Sequence, residues 1–125
     1  EEDWPLKGSV LEDLLATEGG NLLAEVLPDW IAEKITPEPQ DESKATYTRK
    51  FTDKDAHIDL NEIPRQNFLK IRAFDRSPRA YFLDSKGKRV IITEAEYKDE
   101  KLEILKVIPE GKKEMSYSDF LRGKK

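Results

Sequence analysis

The stretch Ile71-Arg72-Ala73-Phe74-Asp75-Arg76-Ser77-Pro78-Arg79-Ala80-Tyr81-Phe82-Leu83 decides the fold of this chain. Before it, apolar residues recur at helical spacing and predict a helix over residues 62–74. Ser77-Pro78 ends this pattern, because proline restricts the residue before it to extended backbone. Residues 80–83 then have the composition of a strand, and the turn residues at 84–87 predict a hairpin. The chain is therefore predicted to pass here from a helix into a β-hairpin.

Further elements are predicted outward from this stretch. Downstream, residues 89–97 and 102–108 read as two long strands, and Ser116 is placed to cap a short helix that Gly123 closes. Upstream, residues 45–51 predict a first strand or an extended arm, and residues 57–60 predict a short strand. Asn61 is placed to cap the helix over 62–74. These elements predict an α+β domain built as a small, partly open β-barrel.

The amino-terminal part predicts an amphipathic helix. Ser9 and Glu12 have the spacing of a capping box, which predicts that a helix begins at Val10. Gly19-Gly20 weakens its middle, so two helices that meet near residues 19–21 and one bent helix are equally good interpretations, and Pro28 either kinks the second half or opens a new turn. Nine large apolar residues recur at intervals of three, four and seven: Leu11, Leu14, Leu15, Leu22, Leu23, Val26, Leu27, Trp30 and Ile31.

This apolar stripe predicts a packing partner. A large apolar side chain contributes roughly 1.5–3 kcal/mol when it is fully buried, and an isolated helix cannot bury nine of them. Three outcomes fit the sequence: segment 9–33 folds back on the rest of the chain, pairs with a second copy, or stays partly exposed.

Charge is distributed unevenly along the chain. Residues 1–43 hold two lysines against twelve acidic residues, a net charge of −10, whereas residues 44–125 carry a net charge of +6. A basic domain fits a polyanionic partner, and a solvated charged surface fits the same numbers. The absence of cysteine excludes disulfides, cysteine-ligated zinc and thiol catalysis. Because no apolar run approaches the roughly 20 residues needed to cross a bilayer and the acidic start lacks a signal peptide's basic flank, we expect a soluble, cytoplasmic protein without a membrane partner.

Acidic and polar residues alternate at Asp53, Asp55, His57, Asp59 and Asn61. This alternation has some likeness to a calcium-binding loop, so the spacing has to be compared with that motif. The sixth position requires glycine and holds Ile58, and the twelfth requires a bidentate glutamate and holds Pro64. We therefore predict no metal here, but a capped turn that begins at Thr52. His57 has no nucleophile motif beside it and is not expected to be catalytic.

Three blocks of sequence, in this order, resemble the C-terminal domain of the methionyl-tRNA formyltransferase family. The first is Pro37-Glu38-Pro39-Gln40-Asp41-Glu42-Ser43-Lys44-Ala45-Thr46-Tyr47. The second contains Ile71-Arg72-Ala73-Phe74, Pro78, Ala80-Tyr81-Phe82, Gly87-Lys88-Arg89-Val90-Ile91-Ile92 and Glu94-Ala95. The third is Pro109-Glu110-Gly111-Lys112-Lys113-Glu114-Met115-Ser116. The resemblance implies an OB-like form of the predicted barrel.

The resemblance also implies a domain plan and a function. Residues 1–35 would be the last helical segment of a catalytic domain, 36–44 a linker, and 45–125 the C-terminal OB-like barrel. Members of the family formylate initiator methionyl-tRNA in translation initiation, with 10-formyltetrahydrofolate as the formyl donor. Their catalytic Asn, His and Asp do not appear in this chain, so the resemblance implies no catalytic residue and no cofactor site here. The family's catalytic sheet would be the surface on which segment 9–33 packs.

The resemblance implies that Arg49 and Lys50, which follow the linker, contact tRNA. Lysine and arginine on an extended arm can follow a phosphate backbone. Charge and loop placement add eight further candidates: Arg72, Arg76, Arg79, Lys86, Lys88, Arg89, Lys112 and Lys113. For Arg72, pairing with a neighbouring carboxylate is at least as good an interpretation.

Two features depart from the family pattern. Only four residues separate Tyr97 from Leu102, where the family has further strands, so the barrel is expected to lack part of its wall. Arg76 and Arg79 replace a second proline and a small residue. These departures leave two alternatives open: a non-catalytic adaptor on the same fold, and the C-terminal domain of another folate-dependent formyltransferase.

Overall fold

A computed structural model describes residues 4–123 of the chain. The chain divides into two compact units. The first unit is Val10–Lys50, and the second unit combines Glu1–Ser9 with Phe51–Lys125. Each unit is described separately below.

The first unit is dominated by one long helix, α1 (Gly8–Ile31), whose first two residues belong to the second unit. The helix runs through Gly19-Gly20 and through Pro28 without interruption, so the interpretation as two helices is wrong. No residue from 10 to 50 is buried; Leu11 is half-buried, and the other leucines of the apolar stripe are between 41% and 61% exposed. The stripe is therefore largely exposed in the single chain, and its pairing with a second copy stays a prediction.

The rest of the first unit has little regular structure. A single 3₁₀ turn, Glu42–Lys44, begins after Asp41, whose carboxylate accepts the Ser43 N–H at 3.0 Å. The hydrogen bond from the Ser43 side chain, followed by that from Lys44, holds the pKa of Asp41 below its usual value. Residues 45–50 form no strand, so the strand predicted at 45–51 is wrong. These residues have no regular secondary structure, and the alternative of an extended arm stays a prediction.

The second unit begins with the strap, residues 4–9, which lies on the helix α2 (Pro64–Ala73) and the turn that follows it. The Ser9 N–H donates to one carboxylate oxygen of Asp75 at 3.0 Å, and the Ser9 hydroxyl donates to the other. The capping-box prediction is therefore wrong: α1 already includes Gly8, and Ser9 is a donor to a distant carboxylate. A Cβ on Gly8 would lie 2.5 Å from the carbonyl oxygen of Ala73, so only glycine allows this approach.

Two predicted features before α2 have mixed outcomes. The capped turn is confirmed, because the Thr52 N–H and hydroxyl both donate to Asp55, at 2.7 and 2.9 Å, above the 3₁₀ turn Asp53–Ala56. The strand predicted at 57–60 is reduced to one bridge between His57 and Tyr81. Helix α2 starts later than predicted, since Pro64 occupies its first turn and Ile63, not Asn61, is the N-cap residue.

Four antiparallel strands form one open sheet in the order β1 (Tyr81–Leu83), β2 (Arg89–Lys98), β3 (Lys101–Pro109) and β4 (Met115–Ser116). Helix α3 (Tyr117–Arg122) follows, and Ser116 caps it as predicted by accepting the Asp119 N–H at 3.1 Å. The described strands do not close, so the mixed α and β class is confirmed while the OB-like barrel is not. The sequence did not predict β4, because a strand of two residues is too short to show an alternating pattern.

The core of the second unit lies on the inner face of this sheet, under α2 and α3. It contains Ile58, Ile71, Ala80, Phe82, Val90, Ile92, Val107 and Phe120. Val90 and Ile92 alternate with half-buried residues, as expected for a strand with one face covered. A ring of aromatic contacts closes one end, where Phe82 meets Phe120 and Tyr117 edge-on at centroid distances of 6.1 and 6.3 Å. None of the described helices is long and apolar enough to span a bilayer.

Candidate nucleic-acid interface

Two turns at one end of the sheet bring three predicted lysines together. In the β1–β2 turn, the Asp84 carboxylate accepts the N–H groups of Lys86 and Lys88 at 2.8 and 2.9 Å. Gly87 adopts φ +72°, which a side chain would strain. The backbone is therefore fixed by hydrogen bonds, and both lysine side chains stand on a defined turn.

The β3–β4 turn supplies the third lysine. The Lys112 N–H donates to the Pro109 carbonyl at 3.0 Å, and Gly111 adopts φ +74°. Lys86, Lys88 and Lys112 line one cleft of about 300 Å³ between the two turns and the end of α3, which we call the lysine cleft. None of their ammonium groups forms an ion pair with a residue of the described range 4–123. Lys113 follows on the same turn and is exposed.

Acidic groups also border the lysine cleft. Asp84 uses its carboxylate to hold the turn, and Asp119 accepts the Ser116 hydroxyl and pairs with Arg122. These partners, Ser116 first and then the Arg122 charge, hold the pKa of Asp119 below its usual value, so it is ionised at neutral pH. Glu110 adds a third carboxylate to the lining. The cleft therefore presents three lysines next to three carboxylates, of which Asp84 and Asp119 are bonded within the protein.

Arg89 is held by the fold. Its guanidinium lies 3.9 Å from the centroid of the Tyr81 ring and donates to Asp53 at 3.1 Å and to the carbonyl of Arg79 at 3.3 Å. The ring of His57 lies on Tyr81 as well, at 5.3 Å. The guanidinium is thus committed to structural contacts, although a third of the side chain remains exposed. Arg79 is half-buried beside it.

Arg72 and Arg76 lie apart from the lysine cleft, on and after α2. The Arg72 Nε–H donates to the Pro5 carbonyl at 2.8 Å, and its guanidinium lies 5.9 Å from the Phe68 ring centroid. Arg72 therefore holds the strap through a backbone carbonyl, whereas the pairing with a neighbouring carboxylate that the sequence suggested stays a prediction. Arg76 is exposed in the loop before β1.

Arg49 and Lys50 end the first unit. Both are exposed, and the Arg49 guanidinium donates to the Lys50 carbonyl at 3.3 Å. Neither residue lies in a helix or strand.

One cavity of the second unit was not predicted from the sequence. It has a volume of about 670 Å³ and lies between α2, β2 and the strap. Three of its basic residues, Lys7, Arg65 and Lys98, are far apart in sequence, and only the packing of α2 beside β2 brings them together. No cluster of three potential metal ligands occurs among residues 4–123.

Comparisons with known proteins point to one family. The methionyl-tRNA formyltransferase of Streptococcus gordonii is 35% identical over 90% of this chain, and that of Rickettsia bellii is 30% identical over 98%. The chain spans less than half of these relatives, 43% and 47% of their lengths. A solved structure of methionyl-tRNA formyltransferase from Clostridium thermocellum matches with a TM-score of 0.52 at 21% identity, over 67% of this chain and 37% of that one, which shows the fold. No protein-family model matches the chain.

Both sequence alignments are longer than the part of this chain that they cover, by about 22 positions in each case. The relatives therefore carry about twenty residues in this region that the present chain lacks, in keeping with the expected shortening of the domain. Because similarity of 30% or more extends over at least nine tenths of its length, the chain belongs to the methionyl-tRNA formyltransferase family and corresponds to the C-terminal part of its members.

Proposed function

We propose that this chain is the tRNA-binding portion of an enzyme that formylates initiator methionyl-tRNA in translation initiation, with 10-formyltetrahydrofolate as formyl donor. The observation that carries the proposal is the similarity to proteins named methionyl-tRNA formyltransferase along nearly the whole chain. The proposal includes the division into a helical segment (1–35), a linker (36–44) and a C-terminal domain (45–125), together with a cytoplasmic location.

The geometry of the basic residues supports a phosphate-binding role. The lysine cleft offers three ammonium groups without ion pairs among the described residues, and Arg49 and Lys50 offer two more charges on an extended arm. Lysine and arginine side chains of this kind bind phosphates without reading bases. Arg72 and Arg89 support the proposal less, since their guanidinium groups already bind the protein.

The proposal assigns the formyl-transfer step to a part of the enzyme outside these 125 residues. We expect no formylation of methionyl-tRNA by the purified 125-residue chain, because the catalytic Asn, His and Asp implied by the family resemblance do not appear in it. The measurement is transfer of labelled formyl groups from 10-formyltetrahydrofolate. Activity that survives further purification and the substitution His57→Ala would contradict this assignment.

Binding is tested through its salt dependence. Changing Arg49 and Lys50 together to alanine is expected to reduce the slope of log affinity against log salt by about 1–2 units for every tRNA, with initiator selectivity unchanged. The matched control is Lys34→Ala with Lys44→Ala, because these lysines already pair with Asp29 at 3.1 Å and Asp41 at 3.2 Å. Equal slopes in wild type and Arg49→Ala/Lys50→Ala would contradict phosphate contacts by Arg49 and Lys50.

A non-catalytic adaptor is a second candidate, and one observation favours it. The apolar stripe of α1 is exposed from Leu14, at 41%, to Ile31, at 71%. Exposed stripes of this size mark protein-binding surfaces. A chain that binds no tRNA even at low salt, yet associates with itself or another protein through segment 9–33, would support this candidate over the first.

A further inference from the structure

One edge of β2 is unpaired over half of its length. β3 pairs with β2 from Val90 to Lys98, whereas β1 pairs with it only from Arg89 to Ile91. Within residues 4–123, no strand pairs with the other edge of β2 over residues 93–98. An unpaired edge presents backbone N–H and C=O groups that can template a further strand.

The direction of these backbone groups follows from the turn. Asp99 and Glu100 both have positive φ, 49° and 60°, which defines a two-residue turn, and Lys98 and Lys101 flank it as a pair. The β2–β3 pairing is regular from Ala95 to Lys98, whereas the register shifts between Ile92 and Ala95. Because hydrogen-bonded and non-hydrogen-bonded positions alternate along the regular part of an antiparallel ribbon, the backbone groups of Tyr97 and Ala95 point to the edge away from β3. Two residues of β2 therefore offer donors and acceptors to an added strand.

A groove runs along this same edge. The 670 Å³ cavity is lined by every residue from Ile92 to Lys98, by α2, and by the strap. The rings of Phe68 and Tyr97, which both line it, stack on each other at 5.9 Å and 27°. Six residues of strand span roughly 20 Å, which is enough for a five- or six-residue extended segment. A groove between a strand edge and a helix is the geometry in which extended peptides add a strand to a sheet.

The strap forms one wall of the groove, and hydrogen bonds hold it in place. Arg72 holds the carbonyl of Pro5 at 2.8 Å, and Asp75 holds both donors of Ser9. The groove therefore exists before any ligand binds, and binding does not require the wall to be ordered.

The charges around the groove favour an acidic occupant. Lys7, Arg65 and Lys98 line it and form no ion pair among residues 4–123. Arg72 also lines the groove, together with three carboxylates: Glu94, which pairs with Lys106 at 2.6 Å, Asp75, whose partner Ser9 carries no charge, and Glu96. Counted with Lys106, five cations against three carboxylates leave a net positive rim, which disfavours a second copy of the same edge because two like-charged rims would face each other.

We propose that the groove between β2 and α2 binds an acidic peptide in extended conformation, which adds a strand to the free edge of β2 at residues 93–98. Backbone hydrogen bonds to Ala95 and Tyr97 hold the peptide, and Lys7, Arg65 and Lys98 select its carboxylates. This site is separate from the lysine cleft, because the two cavities share no lining residue.

The test uses the 125-residue chain and a fluorescein-labelled hexapeptide of alternating valine and glutamate. We expect saturable binding in fluorescence anisotropy, and shifts of the Ala95 and Tyr97 amide resonances in the labelled protein. The same peptide N-methylated at every second residue cannot pair along one edge, so at least about tenfold weaker binding is expected. Equal binding of the methylated peptide would overturn the proposal.

Protein variants test the charge selection. Arg65→Glu with Lys98→Glu is expected to weaken binding of the glutamate peptide at least about tenfold and to improve binding of a valine–lysine peptide. Both residues are exposed, so the fold is expected to tolerate the change. The control, Lys44→Glu with Lys54→Glu, alters the net charge equally away from the groove. An equal loss of peptide affinity in both double variants would overturn the proposal. It would also be overturned if the chain dimerised through this edge without peptide, or if an oligouridine displaced the peptide.

Discussion

The two units of this chain show what a sequence pattern can and cannot specify. Helix α1 carries the longest apolar stripe of the protein, yet no residue from 10 to 50 is buried. Helix α2 is shorter and less apolar overall, yet it lies against the sheet and buries Ile71 in a core of eight residues. Periodicity specifies which face of a helix is apolar, whereas burial depends on what the rest of the chain places against that face.

The largest expected difference between the units concerns core side chains. Phe82 is 5% exposed and packs on two further rings, so Phe82→Ala is expected to lower the free energy of unfolding by about 3–5 kcal/mol. Leu23 is 61% exposed, so Leu23→Ala is expected to stay within about 0.5 kcal/mol. Urea unfolding measures both. A loss of 2 kcal/mol or more, of the order expected for a buried leucine, at Leu23 would show that the stripe is covered in solution.

Glycines provide the next comparison. Gly8→Ala places a Cβ 2.5 Å from the backbone carbonyl of Ala73, and we expect it to cost about 1–3 kcal/mol. Gly20 lies within α1 with open space around it, so Gly20→Ala is expected to stabilise by about 0.5–1 kcal/mol. Thermal unfolding followed by far-ultraviolet circular dichroism distinguishes them. If both substitutions stabilise the chain, Gly8 of the strap does not lie in close contact with α2.

Helix caps give a smaller contrast. Ser116 accepts the Asp119 N–H at the start of α3, whose Phe120 is in the core, so Ser116→Ala is expected to cost about 1 kcal/mol. Asp41 caps a three-residue turn with no buried residue, and Asp41→Ala is expected to change the unfolding free energy by a few tenths of a kcal/mol or less. Comparable losses in urea unfolding would mean that the turn at 42–44 supports the core.

The smallest predicted effect is a pH dependence at α3. The Ser116 hydrogen bond and the Arg122 charge lower the pKa of Asp119 in the folded chain. Its contribution is therefore present above the ordinary carboxyl pKa of about 3.9 and is lost as the pH falls through the lowered folded value. We expect the urea midpoint to fall more between pH 6 and pH 3 in wild type than in Asp119→Asn. If the urea midpoint falls equally in wild type and in Asp119→Asn, Asp119 does not contribute to the pH dependence of stability.

Much of the second unit could be predicted from sequence because its signals are local. Pro78 ended the helical pattern, the turn residues at 84–87 placed the first hairpin, and Ser116 marked the start of α3. The errors arose where the local structure depends on a residue or strand that is distant in the sequence. Asp75 takes the Ser9 hydroxyl that would have capped α1, and residues 45–50 have strand composition but no strand beside them.

The candidate site was predicted only in part, for the same reason. Lys86, Lys88 and Lys112 were proposed from charge, but their meeting in one cleft depends on the pairing of β1, β2 and β3. The groove beside β2 was missed, because Lys7, Arg65 and Lys98 become neighbours only when the strap lies near α2.

The central claim is that the lysine cleft of the second unit provides contacts to tRNA phosphates, and one measurement tests it most directly. Lys86, Lys88 and Lys112 are changed together to glutamine, and affinity for initiator methionyl-tRNA is measured across a salt series. The account predicts a slope of log affinity against log salt that is smaller by about 2–3 units, with an unchanged urea midpoint. A slope equal to that of wild type would contradict it.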